Sequence, residues 1–343
     1  MPYIKFEMVD GESSFLDPRS GFGETVEKFQ VRFDPLTGRT GHLSHFGAIK
    51  PQRLPLDNYD LPEIKGKCPF CPDVRSRTTP KFPDRVLPEG RAERGEAVLI
   101  PNLFPYDVYS SVIIMTDDHV VPLDRLSEKR IHDAFSLGAD FLKKMGSLDS
   151  SLPYHVITWN YMPPAGGGLV HPHLQCSAAK YPGNRYMDEL SASKRFHDDH
   201  GINYWQEYVE EEKRIGTRYI ASMGSSHWLS SFLSSGVLGE VCCVFPNVFD
   251  VNGFGTQDCA DLSAGLGRVF AYYREHGIYS FNALLCFGPV SQRYFSCSFR
   301  IIPRTFLNTR DYAPDAGFYQ MLLSEPVCAV SPEQLCEDLR PYF

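Results

Sequence analysis

The sequence has no run of about 18 apolar residues, so it predicts no membrane-spanning helix. Its first residues, MPYIKFEMVDGESS, lack a basic segment followed by an apolar one. They therefore predict no secretory signal, and a cytoplasmic location. Positive charge is in the minority, with 34 Lys and Arg against 42 Asp and Glu and a formal charge of −8. Such a chain gains little from a phosphate backbone's counterions, so nucleic acid is not an expected partner. There is no low-complexity tract and no visible internal repeat, and apolar residues are not scarce. At 43% hydrophobic and 22% charged, the composition excludes wholesale disorder.

What remains is a folded chain of 343 residues and 38.8 kDa, a length that suggests two domains at roughly 150 residues each. Ten cysteines would suit a disulfide scaffold in a short secreted chain. In a long chain with no export signal they read as reduced thiols. Only Cys68 and Cys71 stand at metal-ligand spacing. The other eight read as small buried hydrophobes.

Residues 1–30 look irregular, and 31–66 read as turns and short strands. AVLIPNLFP (97–105), SSVIIMT (110–116), YHVITWNYM (154–162) and LVHPHLQCSA (169–178) read as strands. Residues 126–146 form the clearest helix, capped by Ser127 and ended by Gly146. A second helical region covers 187–215, broken near Gly201, and another covers 258–277. TRYIASM, HWLSSFL, EVCCVFP, FNALLCFGP and YFSCSFRIIPR read as strands, and SPEQLCEDLRPYF as a helix with a capping box from Ser331 to Gln334. The fold class is α+β, in two units rather than a doubly wound sheet, with a boundary in 185–215.

The densest chemical signal is Gly166-Gly167-Gly168-Leu169-Val170-His171-Pro172-His173-Leu174-Gln175. Strand side chains alternate, so His171, His173 and Gln175 share one face. Two imidazoles and an amide in a row behind three glycines make a poor core. The glycines allow backbone to approach a phosphate closely, although a plain flexible loop has the same composition. The second signal is Cys68-Pro-Phe-Cys71, which is a redox pair, half of a zinc site, or two structural thiols. Redox pairs usually open a helix, and PDVRSRTTP does not read as one. Zinc needs two further ligands, for which His119 and His171 are the best placed.

HPHLQ resembles the HxHxQ pattern of the nucleotidyltransferase branch of the histidine-triad superfamily. In order along the chain, VRFDPLTGR (31–39), Cys68-Pro-Phe-Cys71, His119 in DDHVVPL, and His171 resemble galactose-1-phosphate uridylyltransferase-like proteins. Residues 210–232 resemble the segment joining the two halves, and SPEQLCEDL the final helix. The resemblance implies two histidine-triad-like halves, each an antiparallel sheet with helices packed against it. It divides the chain at 1–195 and 196–343. It implies one structural zinc per chain on Cys68, Cys71, His119 and His171, and a covalent nucleotidyl intermediate on His173. Gln175 would donate to a non-bridging phosphate oxygen as charge builds there. Phe70, Asn102, Phe104, Asn160, Gly166, Gly167 and Gly168 would line the nucleotide, although Phe70 and Phe104 read equally well as core aromatics. The partners implied are a nucleotide donor and a small phosphorylated acceptor, and the chain would be a homodimer.

The sequence departs from the family where phosphate and sugar are held. Gly168 stands where the uridylyltransferases carry Ser. His45, Lys50 and Arg53 stand where they carry two arginines. Phe295-Ser296-Cys297-Ser298 stands where many carry an HxH metal pair, so Glu189 has lost those partners. Gln320 and Pro326 stand at sugar-contacting positions. The resemblance therefore leaves three functions open. One is nucleotidyl transfer to an acceptor other than galactose 1-phosphate. Another is phosphorolysis of dinucleoside polyphosphates or adenylyl sulfate. The third is nucleotide binding without catalysis.

Overall fold

The computed structural model describes all residues except 1, 2, 45, 46, 53–55, 309, 311 and 312. The first two strands, β1 (Glu7–Asp17) and β2 (Gly23–Phe33), form a hairpin paired along its length, and β3 (Thr40–Leu43) extends it. Where an irregular segment is expected over 1–30, the chain is therefore regular. Most of the hairpin is exposed on both faces, so no buried face imposes the alternation by which a strand is read from sequence.

Two short helices follow, α1 (Pro62–Lys65) and α2 (Pro72–Thr78). Next come β4 (Ala92–Arg94), β5 (Ala97–Pro101), β6 (Tyr109–Ile114), α3 (Glu128–Leu148), β7 (Tyr154–Tyr161) and β8 (His173–Ala179). Helices α4 (Asn184–His200) and α5 (Tyr204–Ile215) are separated at Gly201, whose φ of 73° ends the first of them. The chain continues through β9 (Tyr219–Met223), β10 (Ser226–Ser230), β11 (Val241–Phe245), α6 (Thr256–Glu275), β12 (Phe281–Cys286) and β13 (Cys297–Pro303).

Strands β4 to β13 form one continuous antiparallel sheet in the order β4-β5-β6-β8-β7-β12-β13-β11-β10-β9. The two ends of that order are the same motif. Three meandering strands lead to a long helix and then to two strands that return in reversed order. The halves meet where β7 pairs with β12. The duplication is invisible in sequence, yet it has a physical trace. Each long helix carries a glycine where it crosses the sheet. A Cβ on Gly138 of α3 would come within 2.9 Å of Cys176 Sγ, and one on Gly265 of α6 within 2.1 Å of the Trp228 ring. Close helix–sheet packing accounts for two helix-interior glycines that each cost about 1 kcal/mol in propensity.

Helices α3 and α6 cover one face of the sheet, burying Leu174, Cys176, Ile157, Trp159, Cys243 and Phe299 among others. On the opposite face, α4 and α5 cover mainly the second half, packing Tyr204, Trp205 and Tyr208 on Leu229, Cys242 and Val244, and reach the first half at the start of β7, where Tyr186 meets Tyr154. Over β5 and β6 that face carries the Cys68–Cys71 turn and Phe70. The strip between, over β8, β7 and β12, stays half-exposed. All ten cysteines are free and buried, as expected of reduced thiols.

Three local expectations are corrected. Helix α3 does not stop at Gly146 but runs through it to Leu148, because Gly146 provides the space in which His155 packs. Residues 72–78 are helical after all: Pro72 occupies the first turn, and Arg91 donates to the carbonyls of Ser76 (3.2 Å) and Thr79 (2.7 Å) at the far end. At Ser331 the cap is one-sided, because Gln334 turns away to Asp338 (2.9 Å).

His155 is fully buried, and neither ring nitrogen has a hydrogen-bond partner among the described residues. Burial pushes its imidazole down to about 4, against the weak opposing pull of Asp250. The unfolded chain takes up this proton near pH 6.5 and the folded chain only near 4. Stability is therefore complete above about 6.5 and is lost as pH falls through that window, by about 3 kcal/mol in all. His155→Phe is expected to lose this share of the slope, while His171, held near 4 by burial, contributes over the same window in both proteins. Urea unfolding of both proteins at pH 7 and pH 5 checks it, and parallel slopes would refute it. Glu240 and Glu333 leave the interval undisturbed. Burial raises both, but Arg300 beside Glu240 and Arg32 on Glu333 bring them to about 2, so their contribution is lost only below about pH 4.5.

Candidate metal group and nucleotide groove

Cys68 and Cys71 sit in the turn that leads into α2, and Cys71 is its N-cap residue with no side-chain cap bond, which leaves the thiol free. His119 follows β6 in the chain. His171 precedes β8, where Met115 N donates to the Pro172 carbonyl (3.0 Å). The four ligand atoms lie within 4.8 Å of one another, and all four residues are buried. Cys71 Sγ is 3.5 Å from His119 Nδ1, and His171 Nδ1 is 3.7 Å and 3.8 Å from the two sulfurs.

Tetrahedral zinc separates a thiolate from an imidazole nitrogen by about 3.6 Å, given Zn–S near 2.3 Å and Zn–N near 2.05 Å. The donor set fits. His171 Nε2 donates to the Thr116 carbonyl (2.8 Å), which fixes the tautomer and turns Nδ1 toward the sulfurs. In the protein alone, burial and the neighbouring Cys68 push the Cys71 thiol up to about 11, and burial pushes His171 down to about 4. The first shift disfavours a thiolate whose charge a bound cation would repay, and the second keeps His171 in the neutral form that can ligate.

The strand carrying the histidines starts at His173, not at Leu169, so His171 lies outside the ladder and turns into the metal group. From His173 onward the expected alternation holds. His173, Gln175 and Ser177 are half-exposed on the open strip, while Leu174, Cys176 and Ala178 enter the core. His173 Nδ1 donates to the His171 carbonyl (2.8 Å), since a carbonyl can only accept. Nε2 therefore keeps its lone pair and has no partner among the described residues. Burial lowers the ring below its ordinary pKa, which favours the neutral imidazole. Phe70 meets His173 edge-on at 5.3 Å and His171 at 6.0 Å, so it is both a core aromatic and a wall of the groove.

The remaining expected nucleotide contacts are spread around this strip. Asn102 is tied locally: its Nδ2 donates to Ser110 Oγ (3.3 Å) and its Oδ1 accepts from Phe104 N (3.0 Å). Phe104 is 75% exposed and is not a core residue. Asn160 on β7 faces the strip, and its Oδ1 accepts from Asn282 Nδ2 (2.7 Å). The glycine loop returns over Met162, a buried residue at φ 69° and ψ 162°, a conformation that costs a non-glycine residue about 1–3 kcal/mol. Gly166 has φ 76°. Gly167 packs against the Met162 and Asn160 carbonyls, at 3.1 and 3.2 Å from an added Cβ, whereas Gly168 has open space around it.

Several groups at the strip were not singled out in the sequence. Thr158 pairs with Gln175 across β7 and β8. Ser177 Oγ donates to Asp107, and period-2 alternation from His173 would have found the serine. Arg75 on α2, paired with Asp117 at 3.0 Å, is a cation beside the metal group. Of the cations considered after the PLTG segment, Lys50 is exposed, while His45 and Arg53 lie outside the described residues.

Among the described residues the second half has no matching group. His173 opens β8 and pairs with Ile114, the last residue of β6; in the same way Cys297 opens β13 and pairs with Phe245, the last of β11. Phe295, Ser296 and Cys297 are all buried. Glu189 is held by Arg185 (3.0 Å) and Arg300 (3.1 Å). Gln320 and Pro326 line a pocket of about 240 Å³ that also holds Arg39, Arg185 and Asp188.

No family model matches the chain. An uncharacterized protein of Archaeoglobus fulgidus is 27% identical over 317 residues, 91% of each chain. A galt-like protein from Arabidopsis thaliana superposes with a TM-score of 0.68 at 16% identity, over 90% of this chain and 98% of that one. An ADP-glucose phosphorylase from the same plant, solved with bound ADP-glucose, gives 0.68 at 15%, over 91% and 98%. A uridylyltransferase gives 0.66 at 20%, over 91% and 97%. At these identities the likeness is one of fold, and the fold is that of the galactose-1-phosphate uridylyltransferase-like proteins.

Proposed function

We propose that the chain is a nucleotidyltransferase that works through a covalent intermediate on His173. One observation carries this reading. The His171 carbonyl holds His173 Nδ1–H, so that Nε2 offers its lone pair to an open strip, with Gln175 on the same face two residues on. Nε2 attacks the α-phosphorus of a nucleoside diphosphate compound. The N–P bond forms as the bond to the bridging oxygen breaks, and the distal phosphate departs with that electron pair. An oxygen of a phosphate-bearing acceptor then attacks the same phosphorus and displaces the imidazole. Nδ1 keeps its proton throughout, shared with the His171 carbonyl. Gln175 donates to a non-bridging oxygen in both steps.

Cys68, Cys71, His119 and His171 would hold zinc. A closed four-ligand site supplies folding energy and orients the His171 backbone, without an open position for chemistry. The acceptor is proposed to be other than galactose 1-phosphate. The neighbour with bound ADP-glucose favours a second version, in which inorganic phosphate is the acceptor and a nucleoside diphosphate is released. We further propose a cytoplasmic homodimer. Sedimentation is expected to give twice 38.8 kDa, and a monomer would refute that part. No helix among the described residues is long and apolar enough to cross a membrane.

The test is a donor panel of ADP-glucose, UDP-glucose and a dinucleoside tetraphosphate, each mixed with phosphate or with a sugar phosphate and followed by intact-protein mass spectrometry. A nucleotidyl mass increase on His173, discharged by one acceptor, is expected. Tight nucleotide binding with no adduct and no turnover from any donor would overturn the catalytic reading in favour of a binding protein.

A further inference from the structure

We infer that Asn282, Arg304 and Asp315, all from the second half of the chain, are positioning residues for the His173 site; the inference rests on the nucleotidyl-transfer reading of that site. They form one chain of hydrogen bonds with every donor and acceptor assigned. Asp315 Oδ1 accepts from Arg304 Nε (2.8 Å) and Nη2 (2.6 Å). Arg304 Nη1 donates to Asn282 Oδ1 (2.7 Å). An arginine can only donate, so Asn282 must present its oxygen to Arg304 and its NH2 to the other side. That NH2 spends its two hydrogens on Asn160 Oδ1 (2.7 Å) and on the Ala165 carbonyl (2.8 Å).

Two consequences follow for the groove. The first concerns the Asn160 amide. With its oxygen held by Asn282, Asn160 keeps Nδ2 as its free group. Thr158 faces Gln175, so two residues on, Asn160 falls in the row of His173. An N–H donor is thus presented where phosphate oxygens gather charge. A reversed amide would present an oxygen and repel them. The second concerns the loop. Met162 sits in a strained conformation, and second-half residues tie the chain on both sides of it. Ser280 Oγ donates to the Tyr161 carbonyl (2.7 Å), and Asn282 holds Ala165. The second half, whose own equivalent of His173 is a buried cysteine, holds the glycine loop of the first half in shape and sets which end of Asn160 the substrate meets.

The decisive variant is Asn282→Asp. Its carboxylate keeps the bond to Arg304 but can only accept, so Asn160 must turn its NH2 inward and its oxygen to the groove. Adduct formation at saturating donor is expected to slow at least about tenfold; the carboxylate also loses the bond to the Ala165 carbonyl, so loop exchange should quicken as well, with cooperative unfolding retained. Asn282→Ala is expected to slow it about tenfold as well and to speed amide hydrogen exchange at Ala165–Gly168 by a similar factor. The double variant Asn160→Ala/Asn282→Ala should be no slower than the slower single one. If Asn282→Ala does not fold, Asp315→Asn keeps the shape of the chain and is expected to slow the reaction about threefold.

Wild-type labelling rates in Asn282→Asp, or unchanged loop exchange in Asn282→Ala, would overturn the assignment. If wild type labels with no donor, the nucleotidyl-transfer reading falls, while loop exchange still decides whether Asn282 holds the loop.

Discussion

His173→Asn is expected to leave no nucleotidyl adduct on the chain and to lower turnover by on the order of 10⁴-fold or more, the scale seen when a nucleophile acting in concert with its site is removed. Asparagine is the informative replacement. Its Nδ2 can still donate to the His171 carbonyl, the bond His173 Nδ1 makes at 2.8 Å. The ladder of β8 and the metal group are therefore expected to survive, and loss of activity reports chemistry rather than unfolding. Gln175→Ala is the companion measurement. It removes a donor to the transition state but not the nucleophile, so it should still form the adduct, about 10²–10³-fold more slowly. Rapid-quench labelling followed by mass spectrometry separates the two. Equal labelling of wild type and His173→Asn would refute the covalent mechanism, and a Gln175→Ala enzyme of wild-type rate would remove the assigned role of the amide.

How much of this was legible in the sequence depends on the range of the forces involved. The alternation at His173, Gln175 and Ser177 is local and was readable, because one strand with one buried face imposes it. His171 was placed on the wrong side of the strand boundary, since the metal group rather than strand pairing decides where its side chain goes. The candidate ligands span Cys68 to His171; the sequence alone offers the CxxC half with His119 and His171 as the best-placed partners, the resemblance points to the same four, and the geometry brings them together. Helix α2 was missed because its stabilisers are Pro72 in the first turn and a distant Arg91 on its last carbonyls, neither of which shows as apolar periodicity. The duplication was hidden for the opposite reason. Its strands keep the order of the first half while buried Cys297 and Phe295 stand at the edge that carries His173 in the first half, so the topology is preserved and the residues are not. The Asp315–Arg304–Asn282–Asn160 chain joins residues up to 155 apart in sequence and has no sequence signature at all.

The metal group makes the other large prediction. Wild type is expected to carry about one zinc per chain, and Cys68→Ser to carry little or none and to melt about 10 °C lower, as a loss of about 4 kcal/mol would do at 2–4 °C per kcal/mol. The size follows from burial. All four residues are buried, so without a cation the site packs two cysteines and two imidazoles together with few partners, Cys71 pushed up to about 11 and His171 down to about 4. Serine matches the shape of cysteine but binds zinc poorly, so the change removes a ligand and little else. The damage should also reach the nucleophile. The residue that would ligate through Nδ1 is the same residue whose carbonyl holds His173, so releasing His171 would free the imidazole to rotate. Adduct formation is therefore expected to fall together with stability in Cys68→Ser, and to recover in step with metal content when zinc is restored to chelated wild type. A catalytic metal would behave differently, costing rate while the melting temperature held. Elemental analysis, thermal melts and labelling on the same preparations decide between them, and a stable wild-type protein free of metal would refute the assignment.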